Sequence, residues 1–211
     1  MMRSYSNFSV RDLLDAFSST APAPGGGGAA ALTGAIGVSL LLMAAGIRAS
    51  RPSESTDSME LADATDRLRS LRPALAALVD RDAEAYTSVI AALRMPATTD
   101  EEAEGRRAAV AAAMRAATEV PLEMMRACRH ALHEAPIVAA HSIRSTRGDV
   151  GVAIELLRSA VRSAGLTIDA NLASLKDAGY TGVVKGERQR LDAESAADAD
   201  HGLSLVSGKP G

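Results

Sequence analysis

The sequence predicts an all-α fold, a single up-and-down helical bundle with a small-residue helix buried at its centre. Apolar residues make up 47% of the 211 residues but aromatics only 2%. The apolar content is therefore Ala, Leu, Val and Met, which favour helices, while aromatic strand formers are scarce. Apolar positions recur at three- and four-residue steps over long stretches, and no segment reads as a strand. No linker divides the chain, so residues 8–200 are expected to form one domain and residues 201–211 a loose C-terminal tail.

Each element follows from local signals. Ser9 caps a first helix, Val10 to Phe17, with Leu13, Leu14 and Phe17 on one face. Pro22, Pro24 and the run Gly25 to Gly28 form a turn. The uncharged run Ala29 to Ile47 is long enough for a membrane span. Its Ala and Gly content, Thr33 and Ser39, and the lack of flanking aromatics favour instead a helix enclosed by protein on every side. Gly34 and Gly37 allow neighbouring backbones to approach it. A stripe from Leu61 through Leu68, Leu75, Val79, Asp82 and Tyr86 to Leu93 predicts a helix from about Thr56 to Met95, kinked or joined at Pro73. Thr98 or Thr99 caps the next helix, which runs toward Ala140 with a kink at Pro121. Ser142 to Gly148 reads as a basic loop and Asp149 as the cap of a further helix. Gly165 interrupts that helix before Thr167 to Lys176. A last, polar helix runs from Thr181 into the 190s.

Bulk properties exclude some functions. The net charge is −3, with 23 basic and 26 acidic side chains, so no cationic surplus exists to bind a nucleic-acid backbone. A single cysteine, Cys128, cannot form an internal disulfide. Met1 to Ser9 lacks the regions of a signal peptide. The expectation is a cytoplasmic protein without nucleic-acid or membrane partners.

Several residues break the pattern. Asp82 holds a core position of its stripe. A carboxylate there is either paired with an arginine from another helix or faces a pocket, where it can stabilise a cationic substrate or move a proton. Asn171 lies on an apolar helix side, where its amide ties two helices or meets a polar heterocycle. Glu119, just before Pro121, either lines a cavity opened by the kink or is solvated. His130, His133 and Glu134 share one turn, but the spacing does not match a zinc helix and no further ligand is evident, so no metal is expected. The glycine run has neither the Lys-Ser/Thr of a phosphate-binding loop nor a preceding strand. It does place free backbone N–H groups at a helix N-terminus, able to meet an anion or a ligand carbonyl.

Taken together, Leu13-Leu14-Asp15-Ala16-Phe17, Pro22-Ala23-Pro24-Gly25-Gly26-Gly27-Gly28, Asp82-Ala83-Glu84-Ala85-Tyr86, Ala117-Thr118-Glu119-Val120-Pro121, Gly148-Asp149-Val150-Gly151 and Ile168-Asp169-Ala170-Asn171-Leu172 resemble the formiminotetrahydrofolate cyclodeaminase / methenyltetrahydrofolate cyclohydrolase family. The resemblance covers about Phe8 to Leu191. It implies a homodimeric helical bundle binding a folate-type small molecule near the glycine turn, with no cofactor beyond the tetrahydrofolate substrate. It also implies chemistry on the one-carbon bridge between N5 and N10. Asp82, Asp149 and Glu119 are the implied catalytic residues. Pro24, Gly25, Gly26, Gly27, Gly28, Tyr86, Asn171, Arg48 and Arg147 are the implied substrate contacts.

Hydrolysis of 5,10-methenyltetrahydrofolate to 10-formyltetrahydrofolate is the favoured activity, because no formiminotransferase portion accompanies this domain. Cyclodeamination of the formimidoyl compound with ammonia release is the alternative. A divergent paralogue, non-catalytic or with another substrate, is the third reading. It is kept by a departure from the family: Arg48 to Ser53 replaces a lysine-rich segment ending in tyrosine. Arginine can hold a carboxylate tail there but cannot readily shuttle a proton.

Overall fold

The computed structural model describes residues 4–50 and 57–208. A short 3₁₀ turn, Tyr5–Asn7, precedes six helices: α1 Val10–Ser18, α2 Gly26–Ala49, α3 Asp57–Leu93, α4 Asp100–His141, α5 Arg147–Leu172 and α6 Ala178–Ser207. No strand occurs among the described residues. Helices α2 to α5 pack as a closed ring in which each touches the next and α5 returns to α2, while α6 lies against α4 and α5. Successive helices run up and down, so the fold class is the one expected.

Capping explains several boundaries. The Ser9 side chain accepts the Asp12 N–H at the start of α1. Thr99 and Glu102 form a reciprocal capping box on α4. Asp177 accepts the Tyr180 N–H at the start of α6. Helix α2 has Gly25 at its N-cap and no side-chain cap of its own.

The glycine run is shorter as a turn than expected, since Gly26, Gly27 and Gly28 are already the first turn of α2. Asp149 lies in the first turn of α5, and the capping position belongs to Thr146. Gly165 does not interrupt α5. It is buried against Arg188, whose Nε would sit 3.2 Å from an added Cβ. The loose tail is also a correction. Helix α6 continues to Ser207, ended by Gly208 in the left-handed conformation at φ 66°. Leu203, Leu205 and Val206 pack on the core, and an added Cβ at Gly202 would fall 2.8 Å from Ile154 Cδ1. This largely polar helix docks through a buried row, Val184, Leu191, Ala199 and Gly202, flanked by the ion pairs Arg126–Glu187, Arg129–Glu194 and Arg158–Asp200.

Helix α2 is buried on three sides. Gly34 lies against Leu75 and Cys128, and Gly37 against Leu157 and the Ala153 carbonyl, with an added Cβ only 3.0 Å from that oxygen. Cys128 is fully buried, and burial pushes its thiol up to about 12. The fourth side departs from the expectation of complete enclosure: Ile36, Met43 and Ile47 are exposed there. By length and composition α2 could span a membrane, but three protein neighbours occupy most of its circumference.

Candidate functional site

A cleft of about 500 Å³ opens at the N-terminus of α2. The glycine turn forms one wall, Asp82 and Tyr86 of α3 a second, Ala117 of α4 a third, and Thr167 and Asn171 of α5 the last. No lysine, arginine or histidine lines it among the described residues.

Asp82 is fixed against the helix start. Its Oδ2 accepts the Gly28 N–H at 2.9 Å, so α3 supplies the cap that α2 lacks. The carboxylate lies flat against Gly27, where an added Cβ would fall 2.1 Å from Oδ1. Only glycine leaves that space. Burial raises the Asp82 pKa, and the Gly28 hydrogen bond partly counters this. No ion pair to Asp82 is found among the described residues, so the pocket-facing alternative holds and the interhelical salt bridge does not.

Asn171 both ties helices and faces the cleft. Its Nδ2 donates to the Ala117 carbonyl at 3.0 Å. A helix would satisfy that carbonyl from the N–H of residue 121, but Pro121 has none. The loop entering α2 is held from outside. The Tyr5 hydroxyl donates to the Ala23 carbonyl at 3.2 Å, and Asp80 accepts from the Tyr5 N–H and the Ser4 hydroxyl at 2.6 Å each. The Ala23–Pro24 bond is cis and Pro24 is buried beneath the turn.

The remaining expected residues are not brought to the cleft. Glu119 faces α6, where it accepts from the Tyr180 hydroxyl at 3.2 Å and lies 3.7 Å from Arg126. Burial and then the Glu119 charge push Tyr180 up to about 12. Arg48 lies in the last turn of α2, while Arg147 and Asp149 open α5. At about 1.5 Å rise per residue, Arg48 is roughly 33 Å along α2 from Gly26, and Asp149 is roughly as far along α5 from Asn171. All three therefore lie at the other end of the bundle from Asp82. The altered segment beyond Ser50 lies outside the described residues. Glu134 is engaged by Arg67 at 2.7 and 2.9 Å. Sequence reasoning missed Val89, Met114, Leu166 and Thr167, which line the cleft. As ordinary apolar or small positions, they carried no signal.

Comparison with known proteins gives this arrangement a family. The model of the formiminotransferase-cyclodeaminase family matches residues 9–190. A methenyltetrahydrofolate cyclohydrolase of Methylorubrum extorquens is 34% identical over 191 residues, covering 90% of this chain and 92% of that one.

The chain belongs to the formiminotransferase-cyclodeaminase family.

Within that family, the formimidoyltransferase-cyclodeaminase of Gallus gallus is 28% identical over 186 residues, covering 87% of this chain and 33% of its own length. The crystal structure of a formiminotetrahydrofolate cyclodeaminase from Thermotoga maritima superposes with a TM-score of 0.85 at 19% identity, covering 96% of this chain and 97% of that one. That likeness shows the cyclodeaminase fold.

Proposed function

We propose that the chain hydrolyses 5,10-methenyltetrahydrofolate to 10-formyltetrahydrofolate at the Asp82 cleft. The observation that carries this reading is the Asp82 carboxylate itself, partly desolvated, lacking a cationic partner among the described residues and facing the cleft. A methenyl substrate brings an amidinium-like cation, which such a carboxylate attracts strongly. Water adds to the bridging carbon, forming a C–O bond, and Asp82 takes a proton from it. The carbon–N5 bond then breaks as N5 receives that proton, and the remaining hydroxyl proton leaves to solvent as the formyl carbonyl forms. The step needs neither a metal nor a redox cofactor. The side-chain oxygen of Asn171 remains as an acceptor for a heterocycle N–H, since its Nδ2 is committed to Ala117.

Cyclodeamination is the second reading, supported by the cyclodeaminase relatives. Both reactions pass through a tetrahedral carbon between two nitrogens. Added protein should deplete methenyltetrahydrofolate absorbance if the first reading holds. Appearance of that absorbance from the formimidoyl compound would favour the second. No change with either substrate would overturn both. The protein is also proposed to act as a homodimer.

A further inference from the structure

We propose that Tyr5 is a positioning residue for the Asp82 cleft: its hydroxyl clips the loop entering α2 to α3 and so holds the Gly28 N–H on the Asp82 carboxylate. The kinetic consequences rest on reading that cleft as the site of reaction. The positioning itself does not.

The loop needs a holder from outside. Pro22 and Pro24 have no N–H with which to anchor it. Helix α1 leads into the loop but buries no residue, so its packing does not fix where the loop lies. Tyr5 does. Its ring packs on the core, with its centroid 5.3 Å from that of Phe8. Its hydroxyl donates to the Ala23 carbonyl at 3.2 Å. The base of the clip is Asp80 on α3, which accepts from the Tyr5 N–H and the Ser4 hydroxyl at 2.6 Å each.

These contacts form a ring that begins and ends on α3. From Asp80 the ring runs through Tyr5 to Ala23, and then to Pro24, buried under the turn. The Pro24 Cβ lies 3.5 Å from where a Cβ on Gly28 would sit, so Pro24 is the floor on which Gly28 rests. The Gly28 N–H closes the ring on Asp82 Oδ2 at 2.9 Å. Asp80 and Asp82 are two residues apart, or about 200° around the helix. Helix α3 thus grips the glycine turn from two sides, with Asp82 in the cleft and Asp80 under the strap.

The strap reaches the chemistry through Gly28. An N–H donated to a carboxylate favours its charged form. Here it opposes burial, which raises the Asp82 pKa. A loop that drifts loosens this bond and leaves burial unopposed. The other groups facing Asp82 leave the contact dominant. Tyr86 is the other titratable residue lining the cleft, and Gly27 of α2, Met114 and Ala117 of α4, and Thr167 and Asn171 of α5 carry no charge. Arg81, the cation next to Asp82 in sequence, is engaged by Glu123.

Tyr5→Phe removes the hydroxyl and leaves the ring and its backbone N–H in place. In the full chain, kcat/KM should fall about two- to tenfold, the range of one ordinary hydrogen bond. The acid limb of the pH–rate profile should move to higher pH. A tyrosine that merely stabilised the fold would lower the melting temperature and leave the limb where it was. An unmoved limb overturns the proposal.

Asp80 variants separate the clip from its charge. Asp80→Ala and Asp80→Asn both remove a negative charge near Asp82, which by itself moves the limb to lower pH. The asparagine keeps an acceptor for the Tyr5 N–H, whereas the alanine does not. The limb of Asp80→Ala should therefore lie above that of Asp80→Asn, and the difference should vanish in the Tyr5→Phe background. Coincident limbs in the otherwise wild-type chain, or a difference that survives Tyr5→Phe undiminished, overturn the proposal.

Carbon-13 NMR titration of the Asp82 carboxyl, assigned by the signal lost in Asp82→Asn, gives a readout without turnover. Its midpoint should be higher in Tyr5→Phe than in wild type. Equal midpoints overturn the proposal even in an active enzyme. A raised midpoint in a protein that turns over neither folate substrate upholds the positioning role and overturns the assigned reaction.

Discussion

Asn171 Nδ2 donates to the Ala117 carbonyl, and that carbonyl is the one Pro121 leaves without a helical donor. The amide therefore repairs α4 while presenting its oxygen to the cleft. Asn171→Ala should cost about 0.5–1.5 kcal/mol in urea unfolding, the usual net contribution of an intramolecular hydrogen bond, since this one is only part-buried. Pro121→Ala restores an N–H, so in the Asn171→Ala background it should recover part of that loss. Strict additivity in the double-mutant cycle would refute the link.

Gly27 and Asp82 are in contact without a side chain between them. Gly27→Ala should displace the carboxylate, because the new Cβ would meet Oδ1 at 2.1 Å. Turnover should fall at least about tenfold, the loss expected when a positioned acid/base group is misplaced. Gly26→Ala meets no atom within 4 Å and should match or exceed wild-type stability. Thermal melts and initial rates separate the two effects.

Asp82 also sets a pH dependence. Its folded pKa lies above the ordinary carboxylate value because of burial. The folded state therefore binds more protons than the unfolded state between those two values, and ionisation costs stability as pH rises through that window. Asp82→Asn should remove this cost while keeping an acceptor for Gly28. Its Tm should exceed wild type at neutral pH, and the gap should close at acid pH. Wild-type turnover should rise with pH across the raised pKa, and the variant should lack that limb.

Truncation after Asp200 should lower Tm, since Gly202, Leu203 and Val206 are packed residues. Unchanged melting would restore the loose-tail reading. Gly202→Val should do similar damage through Ile154.

The bundle was legible because long three- and four-residue stripes and proline and glycine punctuation act locally. The C-terminal helix was misread because its buried row, Val184, Leu191, Ser195, Ala199 and Gly202, is made largely of small or polar residues and is flanked by ion pairs such as Arg126–Glu187. The Asp82 wall was legible because a carboxylate interrupted an apolar row. Glu119, Arg48, Arg147 and Asp149 were grouped with it because motif order carries no distance. Two motifs separated by the length of a helix read the same as two that touch. Which way Glu119 faced depended on the rotation of α4, and Tyr180 and Arg126 settle it.

The burial of Cys128 has a practical consequence. The chain's sole native thiol is sealed between α2 and α4 and held protonated. Thiolate-directed reagents and mild oxidants should pass it by in the folded state. Reporter groups can therefore be attached at chosen engineered cysteines in otherwise wild-type protein, and labelling of the native thiol becomes a clock for global unfolding.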